Sequence, residues 1–335
     1  MRSARQLRWM AGALGLTLVL AGCLQDKGGG SGGGDAQAFP AKTLRIMAPA
    51  SPGGGWDQTS RAAQQALKQG IVKQNVEVYN VPEAGGTIGL AQLVNQEKGN
   101  GHLLMTMGLV MVGAIKTNKS PVNLDQTTPI ARLTSEAEAI VVPAGSKYKS
   151  IDDLVAAFKA DPGKVAIAGG SAGGTDQILA GLVAKAVGAD PKKLNYIPYS
   201  GGGEALAAIL GGKVAAGISG VGEFIDQVKA GKLRALAVSG AERVQGLDAP
   251  TLTQAGVDVQ LVNWRGMVAP PGIADSDRQG LIRVITQMHD SQAWKDALTK
   301  NDWDDAFLAG DEFKQFLDQE QPKIEGVLAD LGLTS

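Results

Sequence analysis

The chain has 335 residues, a formal net charge of −1, one cysteine and two histidines. With 44% hydrophobic residues it can fill full cores, and the near balance of charge leaves no basic stripe, which excludes a nucleic-acid backbone as partner. A lone cysteine cannot close an internal disulfide, and two isolated histidines do not make a zinc ligand set, so neither a metal nor a cofactor is expected.

Arg2, Arg5 and Arg8 precede an apolar run from Met10 to Leu20, broken only by Thr17, which is the layout of a secretory signal. At ~1.5 Å per residue the run covers roughly half of a bilayer's hydrocarbon core. It ends in Leu20-Ala21-Gly22-Cys23, which resembles the lipobox at which bacterial lipoproteins are cleaved and acylated. Residues 1–22 are therefore read as a lipoprotein signal peptide and Cys23 as the lipidated residue. Residues 23–38, with the glycine run between Lys27 and Asp35, cannot bury apolar surface and are read as a flexible tether. The expected location is the periplasmic or extracellular face of a bacterial membrane.

Beyond Phe39 short β-rich runs alternate with stretches of helical period, the α/β signature. In chain order the pattern predicts a strand over Leu44 to Ala48, a helix over Gln58 to Lys68, a strand over Glu77 to Tyr79, a helix over Ile88 to Asn95 and a strand over Leu103 to Met107. A second group follows: strand Ala139 to Pro143, helix Ile151 to Lys159, strand Lys164 to Ala168, helix Asp176 to Ala186, strand Asn195 to Pro198, helix Gly203 to Leu210, strand Ala215 to Ser219, helix Glu223 to Lys229 and strand Arg234 to Ser239. Strand Gly266 to Ala269 and helices Asp275 to Ala293 and Asp311 to Leu331 complete the list. No Pro-rich linker divides the body, so two lobes must share ordinary strands as crossings. The expected division is 39–139 and 263–335 in one lobe and 140–262 in the other, a two-lobed Venus-flytrap binding-protein architecture with the ligand cleft between lobes.

Four times an expected strand runs into a Gly- and Ser-rich turn that opens a helix: Pro49 to Asp57, Pro82 to Thr87, Gly169 to Asp176 and Pro198 to Glu204. Glycine lets a ligand approach the backbone, and the following helix offers unpaired N–H groups to an anion. Ser51, Thr59, Ser171, Thr175 and Ser200 add neutral hydroxyl donors, and Gly86, Thr87, Asp176 and Gly201 lie in the same turns. A single turn of this kind is ordinary strand-to-helix geometry; its recurrence is what points to a site.

The wording of these loops resembles one family. Leu44 to Pro49 followed by Pro52-Gly53-Gly54-Gly55-Trp56-Asp57 and Arg61, then Ala84-Gly85-Gly86-Thr87-Ile88-Gly89, Ser171-Ala172-Gly173-Gly174-Thr175-Asp176 and Pro198-Tyr199-Ser200-Gly201-Gly202 resemble the substrate receptors of tripartite tricarboxylate transporters. Leu210 to Val214, Lys229 to Val238, Trp264-Arg265-Gly266 and Ala269-Pro270-Pro271-Gly272 fit the same pattern in order. The resemblance implies an extracytoplasmic receptor for a di- or tricarboxylate, citrate-like, working as a monomer with a large and a small membrane subunit. It implies that backbone amides of Gly54, Gly55, Trp56 and Asp57 on one side, and of Ser171, Gly173, Gly174 and Thr175 on the other, hold the carboxylate. Many members have His where Asp176 stands and a smaller residue where Trp56 stands. Arg61, Arg132 and Arg265 are candidate contacts for further carboxylates, although such arginines are more often solvated or salt-bridged. Trp264, near the expected crossing, is read as interlobe packing.

Two rival readings use the same residues. Gly169-Gly170-Ser171-Ala172-Gly173 satisfies the G-x-S-x-G pattern of a serine hydrolase, but the only downstream histidine is His289, which falls on an amphipathic helix as a solvated position. A structural lipoprotein of the same fold would show no ligand-dependent closure. Asp302, Asp304 and Asp305 lack the glycine turn and spaced Glu of a calcium loop and are read as a loop or helix-capping surface.

Overall fold

The computed structural model describes residues 39–334; the signal peptide, the Cys23 lipidation site and the tether expected over 1–38 lie outside the described residues. Strand β1 (Leu44–Ala48) leads into helix α1 (Gly55–Leu67), followed by β2 (Val76–Asn80), α2 (Thr87–Gln96), β3 (Leu103–Gly108) and α3 (Leu109–Thr117). The 16-residue strand β4 (Thr128–Pro143) comes next, then α4 (Ile151–Ala160), β5 (Ala166–Gly169), α5 (Thr175–Ala186), β6 (Asn195–Pro198) and α6 (Gly202–Leu210). Strand β7 (Ala216–Gly220), α7 (Val221–Lys229) and β8 (Leu233–Val238) precede β9 (Val262–Ala269), α8 (Asp275–Asp290), α9 (Gln292–Asn301), β10 (Asp304–Ala309) and α10 (Asp311–Asp330).

The strands run in the order β2-β1-β3-β9-β4-β7-β5-β6, with β8 and β10 also paired to β4. Strand β4 is the shared spine. Its residues up to Ala137 pair with β9 and β10, and from Glu138 onward it pairs with β7 and β8. The chain returns through Leu261, after which Val262 pairs again with Ala137. Each half of the sheet is covered on both faces, because neighbouring strand residues point to opposite sides. Ile46 joins one core with Leu104, Met267 and Trp294, whereas Met47 joins another with Leu90, Met105 and Phe313. Ile140 packs with Phe158 and Ile167, and Val141 packs with Ile209 and Phe224. This is the two-lobed binding-protein fold, with both half-sheets sandwiched between helices.

Several elements differ from the sequence pattern for identifiable reasons. The first half of β4 was not expected because Arg132, Glu136 and Glu138 break its apolar run; two of these, Glu136 and Glu138, are in fact fully buried. Helix α3 is apolar on nearly every side, with six of its nine residues buried, so it carries no helical period to read. The single helix expected over Asp275 to Ala293 is two, since Ser291 leaves helical geometry and its hydroxyl accepts from the Trp294 amide to start α9. Asp304 and Asp305 are not a loop: they begin β10, paired to Ser135 and Thr134, while Asp302 closes α9 in a left-handed conformation. His289 lies on α8 as expected but is not simply solvated. Its ring stacks on Phe307 at 4.0 Å and bonds Asp290 and Asp305.

Candidate ligand-binding cleft

The glycine turns after β1, β2, β5 and β6 all open helices whose N-cap residue is a glycine, Gly54, Gly86, Gly174 and Gly201, with no side-chain cap. Helix α4 shows the contrast: Ser150 and Asp153 form a reciprocal capping box. At the four glycine ends no N-cap side chain takes the first-turn amides, although the Thr87 amide of α2 bonds the Ala84 carbonyl and the Asp176 amide of α5 its own carboxylate; uncapped helix ends of this kind suit an anion.

These turns meet across the two halves of the sheet. Gly54 Cα would lie 3.9 Å from a Cβ on Gly201, and a Cβ on Gly85 would lie 3.4 Å from that of Ser171. A Cβ on Gly113 would overlap the Gly173 carbonyl, and Thr117 Oγ1 donates to the Ala172 carbonyl at 3.3 Å. Between them lies a cavity of about 590 Å³. Of the expected contacts, Gly54, Gly55, Trp56, Gly86, Ser171, Gly174, Asp176, Ser200 and Gly201 line it.

The other expected contacts lie just behind the wall and hold the turns in place. Asp57 accepts from the Gly53 amide, Arg61 and Asn80, so Arg61 is a locking residue of the loop. Thr59 and Thr87 donate back to the Gly55 and Ala84 carbonyls, and the Gly173 amide donates to Gln177. Thr175 bonds Asn263 at 3.3 Å across the two halves, and Ser51 accepts the Gly54 amide through its carbonyl. Arg132 donates to the Ala306 carbonyl and lies over the Phe316 ring. Trp264 is buried edge-on against Phe313 and Phe316.

Sequence reasoning missed Glu83, Val110, Ser219, Glu223 and Asn263, all of which line the cavity. Ser219 and Glu223 belong to a fifth strand-to-helix junction, where β7 ends at Gly220 and α7 begins at once with Val221, so it lacks the glycine- and serine-rich run of the other four. Glu83 sits at φ 88°, ψ 159°, a region that glycine alone occupies freely, and Ala84 at φ 52° follows it. Asn118 Nδ2 and Thr87 Oγ1 both bond the Ala84 carbonyl and hold this strained turn against the cavity.

Charge in the cleft is lopsided. Arg265 is the only cationic side chain among the lining residues, and its guanidinium is ion-paired with buried Glu136. Behind it Glu138 is wholly buried, with no N–H or O–H group of the protein donating to either carboxylate oxygen and the Asp176 carboxyl group as its hydrogen-bonding neighbour. Burial, then the neighbouring Asp176, Glu136 and Glu223 charges, hold Glu138 well above the ordinary carboxylate range. Burial likewise pushes Asp176 to about 6, against a bond from the Gly170 amide at 2.6 Å, and pushes Glu223, with help from the Glu136 charge, to about 7. Among the described residues no group of three His, Cys, Asp or Glu could hold a metal ion. Neither His102 nor His289 lines the cavity, so the serine–histidine pair that the hydrolase reading needs is not formed at Ser171.

The family model described as "Tripartite tricarboxylate transporter family receptor" matches residues 59–333. The chain belongs to that family. The receptor is 28% identical over 306 residues to Protein BugT of Bordetella pertussis, covering 89% of this chain and 91% of that one. In fold it matches the periplasmic binding protein BugD with a TM-score of 0.80 at 20% identity, over 88% of this chain and 99% of that one. It also matches MatC of Rhodopseudomonas palustris, solved with bound malate, with a TM-score of 0.77 at 22% identity, over 87% and 100% of the two chains. The receptor is thus a solute-binding protein and not an enzyme.

Proposed function

We propose that this receptor captures a small organic acid anion in the cleft between its lobes, residues 39–139 with 263–335 on one side and 140–262 on the other, and delivers it to the large and small membrane subunits of a tripartite tricarboxylate transporter. The observation that carries this reading is the convergence of four uncapped, glycine-opened helix ends on one cavity. Such ends bind carboxylate oxygens through neutral donors, so capture does not require a buried Arg clamp and release remains easy. Bound malate in the similarly folded MatC supports the ligand class. Di- and tricarboxylates, citrate among them, are the first acids to test.

No helix among the described residues is long and apolar enough to cross a membrane. Attachment at the periplasmic or extracellular face of a bacterial membrane rests on the lipobox at Cys23, and the receptor works as a monomer. Cys23→Ala should move the protein from the membrane to the soluble fraction of cells.

The direct test is thermal unfolding with citrate, isocitrate, tricarballylate, succinate, malate and aromatic acids. A ligand that prefers the native state raises the melting temperature, and a hundredfold excess over its Kd stabilises by about 2.7 kcal/mol. If none of these acids, nor an amino-bearing analogue of them, moves the transition, the receptor reading fails.

A further inference from the structure

We propose that the ligand carries a protonated amino group beside its carboxylate, and that Asp176 and Glu223 receive that ammonium. This rests on the receptor reading above and names its ligand class. Three of the four charged side chains lining the cavity, Glu83, Asp176 and Glu223, are acidic, and the fourth, Arg265, is already paired with Glu136. The wall therefore has no free cation to meet a second or third carboxylate.

Glu223 occupies the place such a carboxylate would need. A Cβ on Gly202, at the start of α6, would overlap its carboxylate, and a Cβ on Gly55, at the start of α1, would lie 3.1 Å from its Oε1 and overlap the Arg265 guanidinium. The carboxyl group of Glu223 thus fills the space between two helix N-termini and the one guanidinium. Asp176, in the first turn of α5, takes the amide of Gly170 in the turn before it.

Behind both lies an independent sign that positive charge is short. Glu138 is 0% exposed, no N–H or O–H group of the protein donates to either of its carboxylate oxygens, and its hydrogen-bonding neighbour is another acid, Asp176. Glu138 faces Asp176, and both are close to the Tyr196 hydroxyl, which donates to the Gly170 carbonyl rather than to either acid. Beyond the Glu136–Arg265 pair, the carboxyl groups of Glu138, Asp176 and Glu223 lie buried together with no cation of their own, and burial favours their protonated forms when the cleft is empty. An ammonium entering the wall takes over the protons' role, and its hydrogen bonds to carboxylates are charge-assisted. A plain dicarboxylate adds negative charge to the same wall and must bring protons with it.

These two cases differ in the sign of proton exchange, which makes the choice measurable. The experiment is calorimetric titration of the full mature chain with matched pairs that differ only in the amino group, L-aspartate against succinate and L-glutamate against glutarate, with citrate as a fifth probe. Each titration is run at pH 7 in two buffers of different ionisation enthalpy. The expected result is at least tenfold tighter binding of one amino acid than of its deaminated partner, with net release of protons. Glu223→Gln and Asp176→Asn should each remove that preference while the melting temperature shows the fold intact. Should a variant fail to fold, the proton count on the unaltered receptor still decides.

Equal or tighter binding of succinate, glutarate or citrate, with proton uptake, overturns the inference and leaves the receptor reading standing. Failure of all five probes to bind overturns both.

Discussion

In the loop after β1 the amide of Gly53 donates to Asp57 at 2.9 Å, and in the loop after β5 the amide of Gly170 donates to Asp176 at 2.6 Å. Each aspartate sits in the first turn of the helix that its glycine turn opens, and each folds the loop back on the helix end. Their surroundings are opposite. Asp57 also accepts from Arg61 and Asn80, so although burial pushes its carboxyl up, these bonds outweigh burial and hold it below the ordinary range. Asp176 has another acid, Glu138, where Asp57 has Arg61, and burial pushes it up to about 6 in spite of the bonds from Gly170 and Glu138. One loop is locked by charge pairing; the other keeps its charge uncompensated at the cavity wall, where a ligand can complete it.

The sharpest way to break this comparison is to remove the lock. Asp57→Ala should destabilise the receptor by about 2–3 kcal/mol, because it removes the carboxylate that ties the Gly53 amide, Arg61 and Asn80 together through charge-assisted bonds. Urea unfolding measures it, and a loss below half a kcal/mol would mean that the loop is held by other means.

A second effect lies in the pH dependence. Asp57, with its folded value lowered, gives stability that is present above the ordinary carboxylate value and is lost as pH falls through the folded value. Asp176 and Glu223, raised from 3.8 and 4.5 to about 6 and about 7, work the other way: the folded state binds more protons than the unfolded chain between those limits, so their contribution is full at low pH and declines as pH rises. The melting temperature of the ligand-free receptor should fall between pH 5 and 7.5, and Glu223→Gln should flatten that slope. A rising slope in the unaltered protein would contradict the uncompensated wall.

Ligand affinity comes next. A methyl group on Gly55 meets the Arg265 guanidinium and Glu223, so Gly55→Ala should weaken binding by about tenfold, which is about 1.4 kcal/mol, with a smaller change in stability. Titration of the best-binding acid, followed through Trp56 at the cavity wall, reads it directly.

The smallest effect has the opposite sign. Gly203, in the first turn of α6, would place a Cβ in open space and has no left-handed backbone. Gly203→Ala should stabilise the fold by about 0.4–1 kcal/mol by restricting the unfolded chain, and leave binding intact. A loss of binding instead would show that this loop needs its freedom to close on the ligand.

Most of the strands and helices were legible because their apolar period repeats within a few residues, and the four glycine turns were legible because Gly and Ser cluster between strand and helix. Where reading failed, burial had replaced pattern. Glu136 and Glu138 look like surface charge in sequence, yet they lie in the central strand β4 with essentially no exposure. Helix α3 is apolar all round and presents no stripe, and Ser219 with Glu223 reaches the cavity from a turn without the glycine run of the others.

What the amino-acid sequence determined alone is local: an α/β chain with helix ends opened by glycine and left without side-chain caps, the local setting that suits an anion. The composition of the wall facing that anion was decided by tertiary structure, because Glu136, Glu138, Asp176, Glu223 and Arg265 come from four separate elements. Their joint burial, not their spacing, raises the acids and leaves them short of positive charge, since the energy of a buried carboxylate depends on which neighbours the fold brings to it.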